Sequence, residues 1–296
     1  MRNIRKKAVT LIMACAFIMA PAVNAAAAEK TVESSVETIE YKDGAKVTSN
    51  LFMKFEITSK KTAKVTGVKA EYKNLFASIR NGVKGYDLVI PNTLTYNNKT
   101  YKVDEVGAKA FKGDKKLLYV IHGKNLKKIG TEAFANCSKL VAFYDSKVKD
   151  LSKETYSKMA ASGHNVVPYI DSSVEVIGDK AFQNCSSLSI IQLGSKIRKI
   201  GSKAFANVGS KAVTILNENK NLKASGVAKD FFSRSSKCQF VYVYTNVNKK
   251  CYYYEKARNV AGWQKATRAS GVWKVATNKY KPIKSRSFKD FLTGRA

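Results

Sequence analysis

The sequence is poor in the residues that metal binding and proton transfer require. Its 296 residues include 2 His, 5 Cys and 4 Pro, and only 22 are acidic. It contains no Cys-x-x-Cys pair, no His-Glu-x-x-His motif, no Gly-x-Ser-x-Gly motif and no phosphate-binding glycine loop. The common zinc, hydrolase and nucleotide-binding sites are therefore excluded. We expect no catalytic residue, no metal and no cofactor.

Positive charge and apolar residues are abundant by comparison. The chain carries 53 Lys and Arg, a formal net charge of +31, and 45% hydrophobic and 10% aromatic residues. That content supports a packed core and argues against intrinsic disorder. No apolar run beyond the first 26 residues is long enough to cross a membrane, so no transmembrane segment is predicted.

The first 26 residues have the pattern of a secretory signal peptide. Basic residues at positions 2, 5, 6 and 7 precede an apolar run at 8–23, and small residues follow it. Cleavage near Ala26 would release a secreted or cell-surface-associated bacterial protein. In the alternative interpretation, the stretch that ends at Cys15 is a lipobox, and Cys15 would carry a lipid.

One motif recurs at steps of 23, 48 and 23 residues. Its copies begin at Val106, Ile129, Ile177 and Ile200, and each continues with Gly, two variable residues, Ala and Phe. The 48-residue step fits two repeats, the second of which would be a degenerate (worn) copy of the motif around residues 148–159. A single unit of strand, bend and short return arm cannot bury its apolar face alone, so the units must stack into a solenoid.

The pattern I-G-x-x-A-F-x-x-C-x-x-L is complete at residues 129–140 and 177–188. It resembles the BspA-like leucine-rich repeat family of bacterial surface and secreted proteins. The resemblance implies a leucine-rich repeat solenoid with short parallel strands on its concave face. It also implies surface display and binding, without naming one partner. We divide the chain into a signal peptide (1–26), a β lead-in or cap (27–84), repeats (85–221) and a basic, aromatic, β-containing C-terminal cap or module (222–296).

The cysteines and one histidine are predicted to be structural. Cys137 and Cys185 share a repeat column and are predicted to be buried, two strand spacings or about 9–10 Å apart, which is too far for a disulfide. Cys238 and Cys251 flank a predicted hairpin, where either a disulfide or free thiols are possible. His122 is predicted to pack in the core near its edge.

Aligning the repeats directs two neighbouring columns of strand residues away from the core, one through Tyr144, Tyr169 and Gln192 and the other through Tyr119. We predict Tyr119, Tyr144, Tyr169 and Gln192 as residues of the concave face that bind a protein or glycan ligand. An exposed tyrosine offers both an apolar ring and a hydroxyl, which is typical of interfaces. The alternative is cross-strand packing that only covers the sheet.

The last 77 residues are strongly basic, with 18 basic and three acidic residues interleaved with aromatic ones. We predict a polyanion-binding surface that includes Lys249, Lys250, Arg258, Lys281, Lys284 and Arg286. Its partners would be an anionic cell-wall polymer or a host glycosaminoglycan, whereas the signal peptide argues against genomic nucleic acid. Residues 240–244 are predicted to form a strand that caps the solenoid, and the end after Pro282 to be mobile. Charge that only maintains solubility is the alternative.

Three functions follow from these patterns. The first is non-catalytic binding or adhesion at the cell surface, with the basic tail holding the protein to anionic wall or matrix. The second is a structural wall-associated protein without a specific ligand. The third is an enzyme that acts on wall polymers and uses the repeats for targeting, which the scarcity of carboxylates in the C-terminal region disfavours.

Overall fold

The structure, a computed structural model, describes residues 31–42, 45–68, 78–80, 83–145, 173–255, 263–269, 272–275 and 287–295. The strands of the first half are β1 Thr31–Lys42, β2 Ala45–Ile57, β3 Thr62–Val68, β4 Ser78–Arg80, β5 Val83–Ile90, β6 Thr93–Tyr96, β7 Lys99–Val106, β8 Leu117–His122, β9 Lys128–Ile129 and β10 Ala142–Asp145. Those of the second half are β11 Val176–Ile177, β12 Ile190–Leu193, β13 Lys199–Ile200, β14 Phe205–Val208, β15 Ala212–Asn217, β16 Phe232–Arg234, β17 Phe240–Thr245, β18 Lys250–Glu255, β19 Trp263–Ala269 and β20 Val272–Val275. Helix α1 is Phe288–Leu292, and a 3-10 helix spans Ala224–Gly226.

A long antiparallel hairpin, β1–β2, stands at the N-terminal end of the array. β2 pairs with β3, which pairs in parallel with β7, and β1 meets β5 at Ile39 and Asp87. One sheet therefore runs from β10, β8 and β5 through the hairpin to β3, β7, β9, β11 and β13. Because the hairpin joins two ladders of parallel strands, it covers the first coil and leaves fewer open strand edges there.

The repeated Ile and Val positions form one continuous parallel ladder. Val106 pairs with Ile129, Ile129 with Ile177, and Ile177 with Ile200. Ile200 in turn forms a bridge with Val227. The solenoid predicted from the repeat is confirmed. We call the ladder position that each coil contributes a rung. The ladder has a further rung at Val227, which the motif did not reveal because Ala228 stands where the other copies have glycine.

A second ladder carries the strands of the opposite face. β12 pairs in parallel with β15, and β15 pairs in parallel with β17, before β18, β19 and β20 continue the sheet as antiparallel strands. β17 buries alternate residues, as a strand over a core does. The predicted strand at 240–244 is therefore an in-register strand of the array. The sheet is continuous across residue 222, and a separate module beyond that boundary stays a prediction.

Phenylalanines fill the interior between the two ladders. The rings of Phe111, Phe134, Phe182 and Phe205 stack with centroid distances of 5.4, 5.3 and 5.2 Å. Phe143 adds edge contacts to the two central rings. All five side chains are buried, so each repeat contributes one aromatic layer to a continuous core.

The expected separation of Cys137 and Cys185 is wrong. Ile129 and Ile177 pair directly, and the Phe134 and Phe182 rings are stacked neighbours. The two cysteines therefore lie in adjacent rungs, about one strand spacing of 4.8 Å apart. The worn copy at 148–159 lies outside the described residues, and no rung of it separates β9 from β11.

The prediction of a mobile end after Pro282 is also wrong for residues 287–295. Ser287 caps helix α1 through a reciprocal capping box with Asp290. Phe291 and Leu292 are fully buried, and the Phe291 ring lies 4.5 Å from that of Tyr252. The Leu292 carbonyl accepts a hydrogen bond of 2.7 Å from the Thr245 hydroxyl. The helix is thus packed onto the last strands of the array.

Candidate binding surfaces

The outward columns of the first parallel strands are in the predicted register. Tyr119 lies beside Ala142, and Ile121 lies beside Tyr144, across the β8–β10 pair. Tyr119 and Ile121 are partly exposed, whereas their neighbours Val120 and His122 are buried. Tyr169 lies outside the described residues. The Tyr119 and Tyr144 positions therefore lie on the same face but diagonally across the strand pair, offset by two residues.

Gln192 occupies the predicted column but is not on an open surface. Its side chain is only 4% exposed, and its amide donates a hydrogen bond to the carboxylate of Glu218. Ile190, in the neighbouring column, is buried as well. In this structure Gln192 therefore stabilises the β12–β15 region. A ligand contact by this residue would require the hydrogen bond to open.

Three aromatic residues on β17 extend the outward columns, and the repeat motif did not reveal them. Parallel pairing sets Tyr242 beside Thr214 and Tyr244 beside Leu216, and these four side chains are partly exposed. Phe240, at the start of the strand, is partly exposed too. The alternation of aromatic residues and valine at 240–244 could have indicated this strand of the array. We interpreted it as a capping strand and therefore did not align it with the repeats.

The predicted polyanion-binding residues are only partly within the described structure. Lys249 and Lys250 are exposed at the turn between β17 and β18. Lys249 has a positive φ of 54°, consistent with its place in a tight turn. The remaining predicted residues, Arg258, Lys281, Lys284 and Arg286, lie outside the described residues.

The possible disulfide between Cys238 and Cys251 does not fit the hairpin. The hairpin pairs Tyr244 with Cys251, whereas Cys238 lies two residues before the start of β17 at Phe240. At about 3.4 Å per residue, the strand from Phe240 to Tyr244 alone extends roughly 14 Å, twice the limit of about 7 Å for a disulfide. Cys238 is a free, buried thiol whose Sγ donates to the Phe240 carbonyl. Cys251 is thus next to the turn of the hairpin, whereas Cys238 precedes its open end.

The buried thiols and the buried histidine are packed as core residues. Cys137 and Cys185 donate to the carbonyls of Phe111 and Phe134 at 3.0 and 3.1 Å. Burial raises the pKa of the Cys185 thiol well above its ordinary value, and the nearby Cys137 adds to the rise. His122 is fully buried, with its ring 4.6 Å from that of Phe143. Its prediction as a core residue is confirmed, and thiols held protonated in this way are poor nucleophiles.

Several glutamates on the repeats form ion pairs with lysine or arginine. Glu132 contacts Lys112 at 2.6 Å, and the hydrogen bond from that lysine lowers the pKa of the carboxyl group. Glu105 forms an ion pair with Lys128 at 2.9 Å. Because basic residues outnumber acidic ones by more than two to one, the charge left over after pairing is positive.

The described part of the chain contains neither a metal-binding cluster nor a membrane-spanning helix. Within it, no three His, Cys, Asp or Glu side chains lie close enough together to hold a metal ion. No helix among these residues has the length and apolar character needed to cross a membrane.

Comparison with solved structures finds leucine-rich repeat proteins. The chain is similar in structure to a leucine-rich repeat protein from Bacteroides ovatus, with 22% identity and a TM-score of 0.41 over 65% of this chain and 41% of that one. It is also similar to a leucine-rich repeat protein from Bacteroides capillosus, with 21% identity and a TM-score of 0.39 over 56% and 94% of the two chains. The chain thus spans less than half of the first protein.

Comparison of the sequence with family models assigns the chain to a family. A search of curated proteins finds no significant match. The model of the BspA type leucine rich repeat region matches in six copies at residues 91–161 and 167–268, more than half of the sequence. This match extends past residue 222, in agreement with the parallel pairing of β15 and β17. The chain belongs to the BspA-type leucine-rich repeat family.

Proposed function

We propose that this chain is an exported, non-catalytic repeat protein that binds a protein or glycan at the cell surface. The ligand would contact the outward face of the parallel strands, and anionic wall or matrix polymer would retain the protein. The proposal rests chiefly on the in-register outward columns, because each of the two sheets that carry them holds side chains of neighbouring repeats in fixed register.

The chemistry of these columns suits binding. Tyrosine provides a large apolar contact and a hydrogen-bonding hydroxyl while losing little conformational entropy. Tyr119 and Tyr144 lie on neighbouring strands β8 and β10, and Tyr242 and Tyr244 lie on β17 of the second sheet. A ligand that spans several strands would gain many modest contacts at once.

The packing of the potential nucleophiles supports a role without catalysis. Cys137, Cys185 and His122 are fully buried in the described core, where they contact phenylalanines and main-chain carbonyls. A nucleophile and its base need access to a substrate and to each other. These side chains instead serve the stacking of the repeats.

The concave face is tested by replacing Tyr119, Tyr144 and Tyr169 together by Ala. Binding of the full chain is measured on immobilised glycans and extracellular matrix proteins at physiological salt. We expect at least a tenfold loss of affinity for any ligand that the unchanged protein binds. The matched control replaces the same tyrosines by Phe, which preserves the ring and removes only the hydroxyl.

The outcomes separate the candidate functions. Unchanged binding by the Ala variant, with an unchanged melting temperature, would remove the concave face from the proposal. If the unchanged protein binds no member of the panel but is still retained on purified cell walls, the structural wall-associated function is favoured. Thermal unfolding of each variant distinguishes a direct effect on ligand binding from a general loss of folded protein.

A further inference from the structure

A basic groove lies between two consecutive loops of the array, away from the tyrosine columns. One loop follows β12 and the other follows β15 and includes the 3-10 helix. The groove has a volume of about 470 Å³, within the usual range for ligand-binding clefts. Its polar lining includes Ser195, Lys196, Arg198, Asn221, Lys223 and Ser225.

The groove exists because the second loop is longer than the first. Leu193 pairs with Asn217 on one face, and Ile200 forms a bridge with Val227 on the other. The chain makes this crossing in seven positions from Leu193 but in ten from Asn217. The additional residues bulge outward and form one wall of the groove.

Buried contacts fix the spacing between the two walls. Asn219 is buried, and its Nδ2 donates to the Ile197 carbonyl at 2.5 Å, which joins the loops. Its Oδ1 accepts from the Asn221 backbone N–H at 2.8 Å and so shapes the second loop. At Gly226 the main chain comes so close that a Cβ atom would collide with the Arg198 carbonyl oxygen. The groove is therefore pre-formed, which lowers the cost of ordering it around a ligand.

The rim of the groove carries cations whose charge is available. Lys196 and Lys223 are exposed, and neither forms an ion pair within the described residues. Arg198 uses its Nε to contact Glu175 at 3.2 Å. Its two terminal nitrogens make no hydrogen bond to any part of the chain that the structure describes. Three cations and one carboxylate leave the groove with net positive charge.

We propose that this groove binds a tetrahedral oxyanion, a sulfate or phosphate ester carried on a polymer. The guanidinium of Arg198 offers paired donors that match two oxygens of such a group, and two ammonium groups add charge. The Asn221 amide and the Ser195 and Ser225 hydroxyls provide neutral donors at the same place. This site contains none of the predicted tyrosines and none of the six predicted polyanion-binding residues.

The test compares the full chain with a variant that carries Lys196→Gln and Lys223→Gln. The matched control carries Lys115→Gln and Lys124→Gln, two exposed lysines of another repeat, and has the same net charge. Calorimetric titration at fixed salt uses inorganic sulfate, inorganic phosphate, a sulfated oligosaccharide and a glycerol-phosphate oligomer. We expect saturable binding that is at least tenfold weaker in the groove variant and changed less than twofold in the control.

Preference for the sulfated oligosaccharide or for the glycerol-phosphate oligomer would identify the source of the ester. Equal losses in the two variants would overturn the proposal, because they would indicate diffuse attraction to the whole surface. Absence of saturable binding by the unchanged protein would overturn it as well. Since the tyrosine variants leave the groove intact, failure of one proposal does not decide the other.

Discussion

At the residue scale, the glycine of the repeat is required by the close approach of two rungs. A Cβ atom on Gly178 would meet the Thr131 nitrogen at 2.7 Å, and one on Gly130 would meet the Val106 carbonyl oxygen at the same distance. These contacts are with backbone, which cannot move aside without separating the rungs. The sequence predicted a bend in each unit, and the structure shows that a side chain at its glycine would collide with the preceding coil.

Phe182 has two stacked neighbours, Phe134 and Phe205, and an edge contact with Phe143. We expect Phe182→Ala to lower the free energy of unfolding by about 3–5 kcal/mol, because it removes buried surface and leaves a cavity between two rigid rungs. Urea denaturation followed by tyrosine fluorescence measures the change. Phe182→Leu, which fills part of the cavity, should cost less. A near-neutral Phe182→Ala variant would contradict the aromatic ladder.

Tyr86 provides a pH-dependent contribution to stability. Its hydroxyl donates to the Asp114 carboxylate at 2.5 Å, and burial, reinforced by that carboxylate, raises the pKa of Tyr86 well above 10.0. The folded state keeps the proton at pH values where the unfolded state loses it. The contribution is therefore complete below about pH 10 and falls as pH rises further, by up to about 1.4 kcal/mol per pH unit.

Tyr86→Phe removes the titrating hydroxyl. Comparing this variant with the unchanged protein separates the contribution of Tyr86 from that of the lysines, which also titrate in this pH range. The difference in unfolding free energy between the unchanged protein and the variant should be constant from pH 7 to about 9.5 and shrink above pH 10. Urea denaturation across pH 7–11 measures it. A difference that stays constant to pH 11 would mean that the hydroxyl is not held protonated by its surroundings.

At the element scale, strong periodicity made the solenoid predictable and its exceptions hard to see. The glycine and phenylalanine columns fixed the rungs at Ile129, Ile177 and Ile200. Val227 was missed because its rung lacks the glycine, so only the three-dimensional pairing with Ile200 reveals it. The separation of Cys137 and Cys185 was misjudged because spacing in the sequence does not reveal which coils are neighbours.

The candidate surfaces were predictable only where strand alternation determines them. Tyr119 and its column follow from the period of two, whereas the burial of Gln192 depends on Glu218, a residue of the next repeat. The basic groove depends on the length of one loop relative to its neighbour. Contacts between repeats of unequal length have no local signal in the sequence.

Helix α1 is expected to stabilise the C-terminal end of the array. Its Phe291 is fully buried against Tyr252, and Phe288 contacts Phe232 with a centroid distance of 4.5 Å. Phe291→Ala should lower the free energy of unfolding by about 3–5 kcal/mol. The control, Lys289→Ala, removes a charge from the same helix and should change it by less than about 0.5 kcal/mol. Equal and small effects of the two variants in thermal and urea unfolding would support the predicted mobile end.

At the scale of the whole molecule, the excess of positive charge is the dominant physical property. Basic residues occur throughout the chain, and the carboxylates of Glu56, Glu105, Glu132 and Glu175 are already paired with Lys or Arg. Such a surface attracts polyanions by releasing their counterions, so its binding weakens steeply as salt rises. Retention of the protein on an anionic polymer could depend on the basic residues of the tail alone or on the basic residues of the whole surface.

A sixfold variant separates these two possibilities. It replaces by Gln the predicted tail residues Lys249, Lys250, Arg258, Lys281, Lys284 and Arg286. The matched control replaces six exposed lysines of the N-terminal half by Gln, namely Lys60, Lys61, Lys99, Lys102, Lys115 and Lys124. The two variants have the same net charge, so any difference between them reports where the charge lies.

Retention on purified cell walls that bear teichoic acid is measured from low to high salt. If the tail is the anchor, only the tail variant loses retention at low salt, and its plot of log affinity against log salt becomes shallower by roughly 0.7–0.9 for each phosphate that is no longer neutralised. Equal losses in the two variants would mean that charge acts over the whole surface. In that case the lysines serve general attraction and solubility, and the binding function would have to come from the sheet and the groove.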